Sequence, residues 1–413
     1  MNTRATVRKK LIAVAVALAF SSAEAGAQQA IPSTALPTGG RVVGGQATIS
    51  QSGATLAIQQ GSARAVLDWQ SFNIGSAASV NFYQPSASSI ALNRVTGVEP
   101  SQIFGRLSAN GQVFLTNASG ILFAPGAQVD VGGLLATTLS MTTDDFMSGR
   151  YLLRGDGADS SIANYGTLRS LPKGYVALIA PSVLNEGTID AAQGTAALVA
   201  AGAATVDFMA DGLVRIRVDQ GALSAEIANS GAIRADGGTV LLTARALDSL
   251  GHAVVNNSGI IEARTVANVN GVVSLGGSEI RLQPGSVVSA AGGGTVELQG
   301  STVSVEGLID ASGSGSGGSI KLLGDKVAVV GNARLDASGD SGGGQILIGG
   351  NLRGEGPEPN ASAVFVGPDA QIDASARVRG NGGTVVVWSQ ERTDFYGSIR
   401  ARGGSEGGNG GLV

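Results

Sequence analysis

Short runs in which apolar and polar residues alternate recur along most of the chain. They include "GTVLLTA" (238–244), "GTVELQ" (294–299), "GSIKLLG" (318–324), "GQILIGG" (344–350) and "GTVVVWS" (383–389). Alternation at period two, rich in β-branched residues and bounded by Gly, Asn and Ser, predicts strands. No helical period of comparable length is present. A phrase also repeats: "NYGTLRS" (164–170), "NEGTIDA" (185–191), "NSGAIRA" (229–235), "NSGIIEA" (257–263), "VEGLIDA" (305–311), "NARLDA" (332–337), "AQIDA" (370–374) and "FYGSIRA" (395–401), with a weaker copy, "GSVVSA" (285–290). Its apolar residue falls at Leu168, Ile189, Ile233, Ile261, Val288, Ile309, Leu335, Ile372 and Ile399, at spacings of 21, 44, 28, 27, 21, 26, 37 and 27. The 44 reads as two units of 22 and the 37 as one unit with an insertion.

A period of 21 to 28 residues belongs to solenoids. The consensus and helix of a leucine-rich repeat are missing, whereas three short strands and three turns fit the length. The expected fold is therefore all-β: a right-handed parallel β-helix with three strands per coil. A coil cannot bury its inner face alone, so coils stack about 4.8 Å apart. Roughly fourteen coils would make a rod on the order of 70 Å long. The polar residue after the repeated apolar one is Asp190, Arg234, Glu262, Asp310, Asp336, Asp373 or Arg400. A position that takes either sign of charge reads as a solvated face.

Two regions depart from the repeat. Residues 36–97 hold strands of uneven length and the aromatics Trp69, Phe72, Phe82 and Tyr83, as expected of an N-terminal β cap closing an open edge, together with the first coils. Residues 139–163 read as an excursion or short hairpin. The Gly-rich "GGSEGGNGGLV" resembles no polar terminal cap, so further coils are expected beyond it.

Composition narrows the function. Charged residues are 14% of 413 and net charge is −4, too weak a field to imply nucleic acid or an anionic membrane. Arg4, Arg8, Lys9 and Lys10 precede a ten-residue apolar run (11–20) and Ala-x-Ala at Ala23/Ala25 and Ala25/Ala27. This is the pattern of a secretory signal peptide over residues 1–27, with the mature chain starting near Gln28. The chain has no cysteine. A repetitive core can dispense with disulfides, and an uncrosslinked chain can thread a pore.

Candidate chemistry is sparse. His252 is the single histidine, with no cysteine or second histidine to complete a metal set. No Gly-x-x-x-x-Gly-Lys-Ser/Thr loop occurs. The Gly clusters near 312–318, 339–344 and 401–410 lack the regular Asp of calcium-binding nonapeptides. Asp144 and Asp145 read as a solvated loop. β-helix carbohydrate-active enzymes need a local acid/base cluster, and a row that changes sign between coils supplies none. No catalytic, cofactor or metal site is therefore expected. "RGD" (154–156) falls in the excursion; one such tripeptide arises by chance in roughly one chain in six of this composition.

The segments "ALNRVTG" (91–97) and "SQIFGRLSANGQVFLTNASGILFAPGAQVDVGGLLATT" (101–138) resemble the secretion domain of filamentous-haemagglutinin-type exoproteins of two-partner secretion. The upstream run from "LPTGGRVVGG" resembles that domain's opening. The resemblance covers residues 28–290, with β-helix repeats over 291–413. The family's Asn-Pro-Asn-Gly-Ile motif falls on Asn117, Ala118, Ser119, Gly120 and Ile121, of which Asn117, Gly120 and Ile121 match. Its other Asn-Pro-Asn motif has no clear counterpart; "QPSA" (84–87) is nearest. The resemblance implies a secretion motif read by the transporter at Asn93, Arg94, Asn110, Gly111, Asn117, Gly120, Ile121, Gly126, Gly132 and Gly133. By local physics "TNASG" and "APG" are corners, and Gln112–Thr116, 121–124 and 127–131 are the sides of one coil. Asn and Gly tolerate the left-handed backbone of a tight turn, and Asn117 can bond its own backbone two residues on.

The resemblance further implies a Gram-negative exoprotein, secreted or held at the cell surface. It would leave by Sec and then through an outer-membrane pore whose periplasmic POTRA modules capture this domain. A non-enzymatic adhesin that binds host-cell or bacterial surface glycans or receptors is the expected role. The stem of a contact-dependent growth-inhibition toxin and a β-helix carbohydrate-active enzyme are the alternatives.

Overall fold

The computed structural model describes residues 31–209, 213–248, 251–266 and 269–413. The expected signal peptide lies outside the described residues. The fold is the predicted right-handed parallel β-helix, three strands per coil, with an N-terminal β cap. One side of each coil forms a 14-stranded sheet running from Ala47–Ser52 to Ser398–Arg400. Its first strand is antiparallel, which leaves thirteen parallel rungs rather than fourteen. The other two sides merge into one 22-stranded sheet, because Val272–Leu282 and Thr295–Val305 each run through both sides as a single 11-residue strand.

The repeated apolar residue stacks as the sequence predicts. Leu168, Ile189, Ile233, Ile261, Val288, Ile309, Leu335, Ile372 and Ile399 are successive register partners. Leu168 through Ile309 are fully buried in the inner core. The 44-residue spacing is corrected, however. Ile189 pairs directly with Ile233, so the interval is one coil, not two. The extra length leaves the helix as an antiparallel pair, Ala203–Phe208 with Val214–Gln220. The 37-residue spacing is one coil with an insertion, as expected, since Leu335 pairs with Ile372.

Residues 139–163 leave the coil as an excursion that closes on itself through an antiparallel bridge between Ser140 and Arg154, with backbone hydrogen bonds of 2.8 and 3.0 Å. They form a short helix, Thr143–Met147, capped by the Thr142 side chain, and a strand, Tyr151–Arg154. That strand pairs antiparallel with Ala203–Phe208, some fifty residues later, in a three-stranded sheet outside the coil. The cap is an antiparallel hairpin, Ala47–Ser52 with Thr55–Gln60, joined by Arg41–Gly44, which pairs antiparallel with Arg64–Trp69. Trp69, Phe72 and Phe82 plug the core end, with Trp69 and Phe72 edge to face at 5.6 Å. Tyr83 does not join them; the strand alternation turns it outward, and it is half exposed.

Candidate transporter-recognition segment

Gln112–Thr116, Ile121–Phe123 and Gln128–Val131 form the three sides of one coil, and Gly133–Thr137 opens the next. The corners use different devices. At the first, Asn117 is buried; its Nδ2 donates to the Glu99 carbonyl and to Ser101 Oγ, each at 3.0 Å. Its Oδ1 accepts the Ser119 N–H at 2.9 Å, the predicted bond two residues on. Asn117 is not left-handed; that conformation falls on Gly120, at φ 115°. The second corner uses Gly126, at φ 89° with open space around it. Ile121 between them is fully buried.

Asn110, Gly111, Gly132 and Gly133 meet at a third corner. Asn110 exchanges hydrogen bonds with the Gln84 backbone, at 2.7 and 2.8 Å. Gly111 N–H donates to Gln84 Oε1 at 3.0 Å. Gly132 N–H donates to the Gly111 carbonyl at 2.7 Å, and a Cβ on Gly132 would sit 2.6 Å from that oxygen. Gly133 leaves room for the Tyr175 ring, 2.5 Å from where its Cβ would be. Asn93 and Arg94 lie one coil earlier. Asn93 is fully buried, accepts the Trp69 indole N–H at 3.0 Å and donates to the Ala91 and Phe114 carbonyls. Arg94 pairs with Asp68 at 2.8 Å. Nine of the ten residues thus fall on corners or inside the coil stack, Arg94 lies mid-strand on the outer face, and only Asn110 and Gly126 are exposed.

Three features were not anticipated. The first is an asparagine ladder inside the second side of the coils. Asn164, Asn185, Asn229 and Asn257 are successive partners, and each Nδ2 donates to the next Oδ1 at 2.7 Å. A buried amide must find partners, and stacking supplies one above and one below. The signal was the Asn four residues before the repeated apolar residue in four copies of the phrase. The second is Gln84, buried in the "QPSA" turn, whose Nε2 reaches Gln60 Oε1 and the Ser89 and Gln112 carbonyls at 3.0–3.1 Å.

The third is a second core. Tyr175–Ala180 and Thr195–Ala200 are buried at all six positions, so this side of the coil is covered on both faces. Their unbroken apolar runs, "YVALIA" and "TAALVA", carried that signal. Phe114, Phe146, Tyr151, Phe208 and Tyr175 pack outside the coil with ring centroids 5.0–6.3 Å apart. Burial pushes the Tyr175 phenol well above its ordinary range, and its hydroxyl donates to Gln112 Oε1 at 2.7 Å.

The charged row lies on the surface, and its order has a reason. Asp130, Arg169, Asp190, Arg234 and Glu262 alternate in sign up the stack. Arg106 and Arg169 flank Asp130 at 3.1 and 3.6 Å, and Arg234 meets Glu262 at 2.9 Å. Among the described residues there is no group of three or more metal-ligating side chains. His252 is exposed, and the side chains of Arg154 and Asp156 are exposed beside Gly155, whose N–H donates to the Gly202 carbonyl.

The structure is thus a capped β-helix whose early coils carry an outer sheet. The family profile described as "TPS secretion domain" matches residues 28–290, and the chain belongs to that family. It is 33% identical over 255 residues to a heme/hemopexin-binding protein of Haemophilus influenzae, covering 60% of this chain and 28% of that one. A second Haemophilus influenzae protein of that name is 29% identical over 267 residues, covering 59% and 28%. The chain spans under a third of these relatives. The solved HMW1 secretion domain from Haemophilus influenzae superposes with a TM-score of 0.70 at 27% identity, over 91% of this chain and 94% of that one.

Proposed function

We propose that residues 28–290 direct this chain to a two-partner secretion transporter of the outer membrane, whose POTRA modules bind it in the periplasm. Residues 1–27 serve as the Sec signal, and residues 291–413 extend the rod. The observation that carries the reading is the secretion-domain match over 28–290. The motif residues support it in a particular form. Asn93, Asn117 and Ile121 are sealed inside the folded coil, so the transporter reads them before the coil closes. The motif is then both the address and the corner set of the folded product. Folding outside the cell biases export forward, since the periplasm holds no ATP.

The role beyond export is non-enzymatic, that of an adhesin-like rod on the bacterial surface or released from it. Long stacked sheets offer an extended surface for glycans or receptors. Heme and hemopexin binding remain properties of the relatives, of which the matched part is 28%. The test is deletion of residues 105–138 in the producing bacterium. Release into the medium is abolished while the periplasmic chain remains detectable; normal release would refute transporter recognition by this segment.

A further inference from the structure

The two longest strands, Val272–Leu282 and Thr295–Val305, pass from one side of the coil to the next at a glycine. Gly277, Gly300 and Gly324 stack at this corner. A Cβ on Gly300 would lie 2.6 Å from the Gly277 carbonyl oxygen, and one on Gly324 2.4 Å from that of Gly300. With the corner bare of side chains, a furrow of about 660 Å³ runs along the rod. It crosses four coils, from Thr243 through Gly276 and Gln299 to Gly324, a length of about 15 Å. Both ends are walled. At one, Arg245 Nη1 donates to the Val218 carbonyl of the outer sheet at 3.1 Å. At the other stands the 349–360 insertion, whose Glu358 is clamped by Lys321 Nζ at 2.8 Å and by Asn351 Nδ2 at 2.9 Å.

One glycine of the furrow is not explained by packing. Gly276 is not left-handed, and beyond its chain neighbours the nearest atom to a Cβ there would be Thr243 Oγ1, at 3.8 Å. A glycine inside a strand weakens it and marks a site where a ligand or another backbone comes close; no backbone comes close to Gly276. The lining selects the ligand. The ladders above and below use the backbone groups of these strands, so no peptide can add as a further strand. The charged residues are Arg245, Asp248 and Asp325, and no net positive field draws a polyanion. No large apolar side chain lines the furrow to seat a helix or an acyl chain. It offers the hydroxyls of Ser278 and Ser301, the Gln299 amide and the Asp325 carboxylate, beside the small apolar faces of Ala246, Ala253 and Pro359. Hydroxyls and ring C–H faces are what such a set pairs with. At the walled end, Asn360 lines the furrow and its Oδ1 is buried without a hydrogen-bond partner among the described residues. A buried acceptor requires a donor, and a sugar hydroxyl is one. We infer that this furrow binds a neutral glycan lying along the rod axis, with about one sugar unit per coil, because a pyranose chain repeats at close to the coil spacing. The inference rests on the adhesin-like reading and gives that surface a site and a ligand class.

The purified full chain is tested on a printed array of neutral, sialylated and sulfated oligosaccharides of graded length. It binds neutral ones, and a tetrasaccharide about tenfold more tightly in Kd than the disaccharide of the same linkage. Gly276→Val fills the furrow where there is room for the side chain, with a residue suited to strands. It leaves Tm unchanged or raised and weakens tetrasaccharide binding by about tenfold or more. Ser304→Val, on the outward face of the next side, binds as the native chain. Should Gly276→Val lose its cooperative melt, Gln299→Ala, at an exposed position of the same furrow, is read instead and weakens binding severalfold. Binding that survives these substitutions overturns the site. A native chain that binds only sialylated or sulfated sugars overturns the ligand class, and one that binds no glycan overturns the inference whole. Attachment of the native chain to cultured epithelial cells tests the adhesin-like reading separately. Failure to attach overturns that reading, while the array still reports on the furrow.

Discussion

The front and rear of the rod are built on the same coil but held by different means. At the front, Tyr175–Ala180 is buried at every position, between the inner core and the outer sheet. At the rear, Thr295–Val305 buries alternate residues only, and its outward Glu297 lies beside Lys321 of the next coil. The largest fully buried side chains, Trp69, Phe72, Phe82, Phe114, Phe123 and Phe146, are all in the front, while Phe365, Phe395 and Tyr396 of the rear are exposed. A front coil is therefore stabilised by neighbours and by a roof, and a rear coil by its neighbours alone. In a solenoid, where stability is a sum of local and nearest-neighbour terms, the front holds as a cooperative block and the rear can fray.

The sharpest break of that contrast is Phe114→Ala. Phe114 is fully buried beneath the roof, and its loss costs about 3–5 kcal/mol. Urea unfolding followed by hydrogen exchange should show protection lost across the outer sheet and the early coils together. The rear counterpart is Gly318→Ala. A Cβ there would lie 2.0 Å from the Gly294 carbonyl, a backbone atom that cannot step aside. The cost is about 2–4 kcal/mol, and exchange should rise only in the rear coils. A loss spread evenly along the rod by either substitution would remove the distinction.

Asn185→Ala probes a device confined to the front. It leaves the Asn164 Nδ2 and the Asn229 Oδ1 without their ladder partner, at a cost of about 1–3 kcal/mol in the urea midpoint. The ladder ends where Leu282 and then Val305 continue the column, so the rear has no such amide to lose. The smallest effect is Glu226→Gln. Burial raises the Glu226 carboxyl above its ordinary value. Such a group favours the fold fully below its unfolded pKa and loses that contribution as pH rises through the folded one. Glu226→Gln should thus raise Tm slightly at neutral pH, with the gain vanishing below the ordinary glutamate range. A gain that grows on acidification would contradict the sign.

Much of the rod was legible because coil stacking is a nearest-neighbour problem. Period two gave the strands, and the repeated Leu/Ile gave the register of the third side from Leu168 to Ile399. Asn117's bond to Ser119 was legible too, being a matter of two residues. What the sequence alone could not assign was partnership across long separations. The 44-residue interval looked like two coils because spacing cannot tell a coil from an excursion. Tyr151 and Val206 pair across more than fifty residues with no shared motif. Asn117's two remaining bonds go to Glu99 and Ser101 on the coil before it.

The chain's own pattern therefore determined that it would coil and which residues line the third side. Those follow from alternation and corner chemistry, which each coil carries within itself. The tertiary structure decided which outer face is roofed, which asparagines share a ladder and why Asn93, Asn117 and Ile121 are buried once folded. These are set by packing between distant segments, where burial of apolar area and the need to satisfy buried amides choose one partner among many.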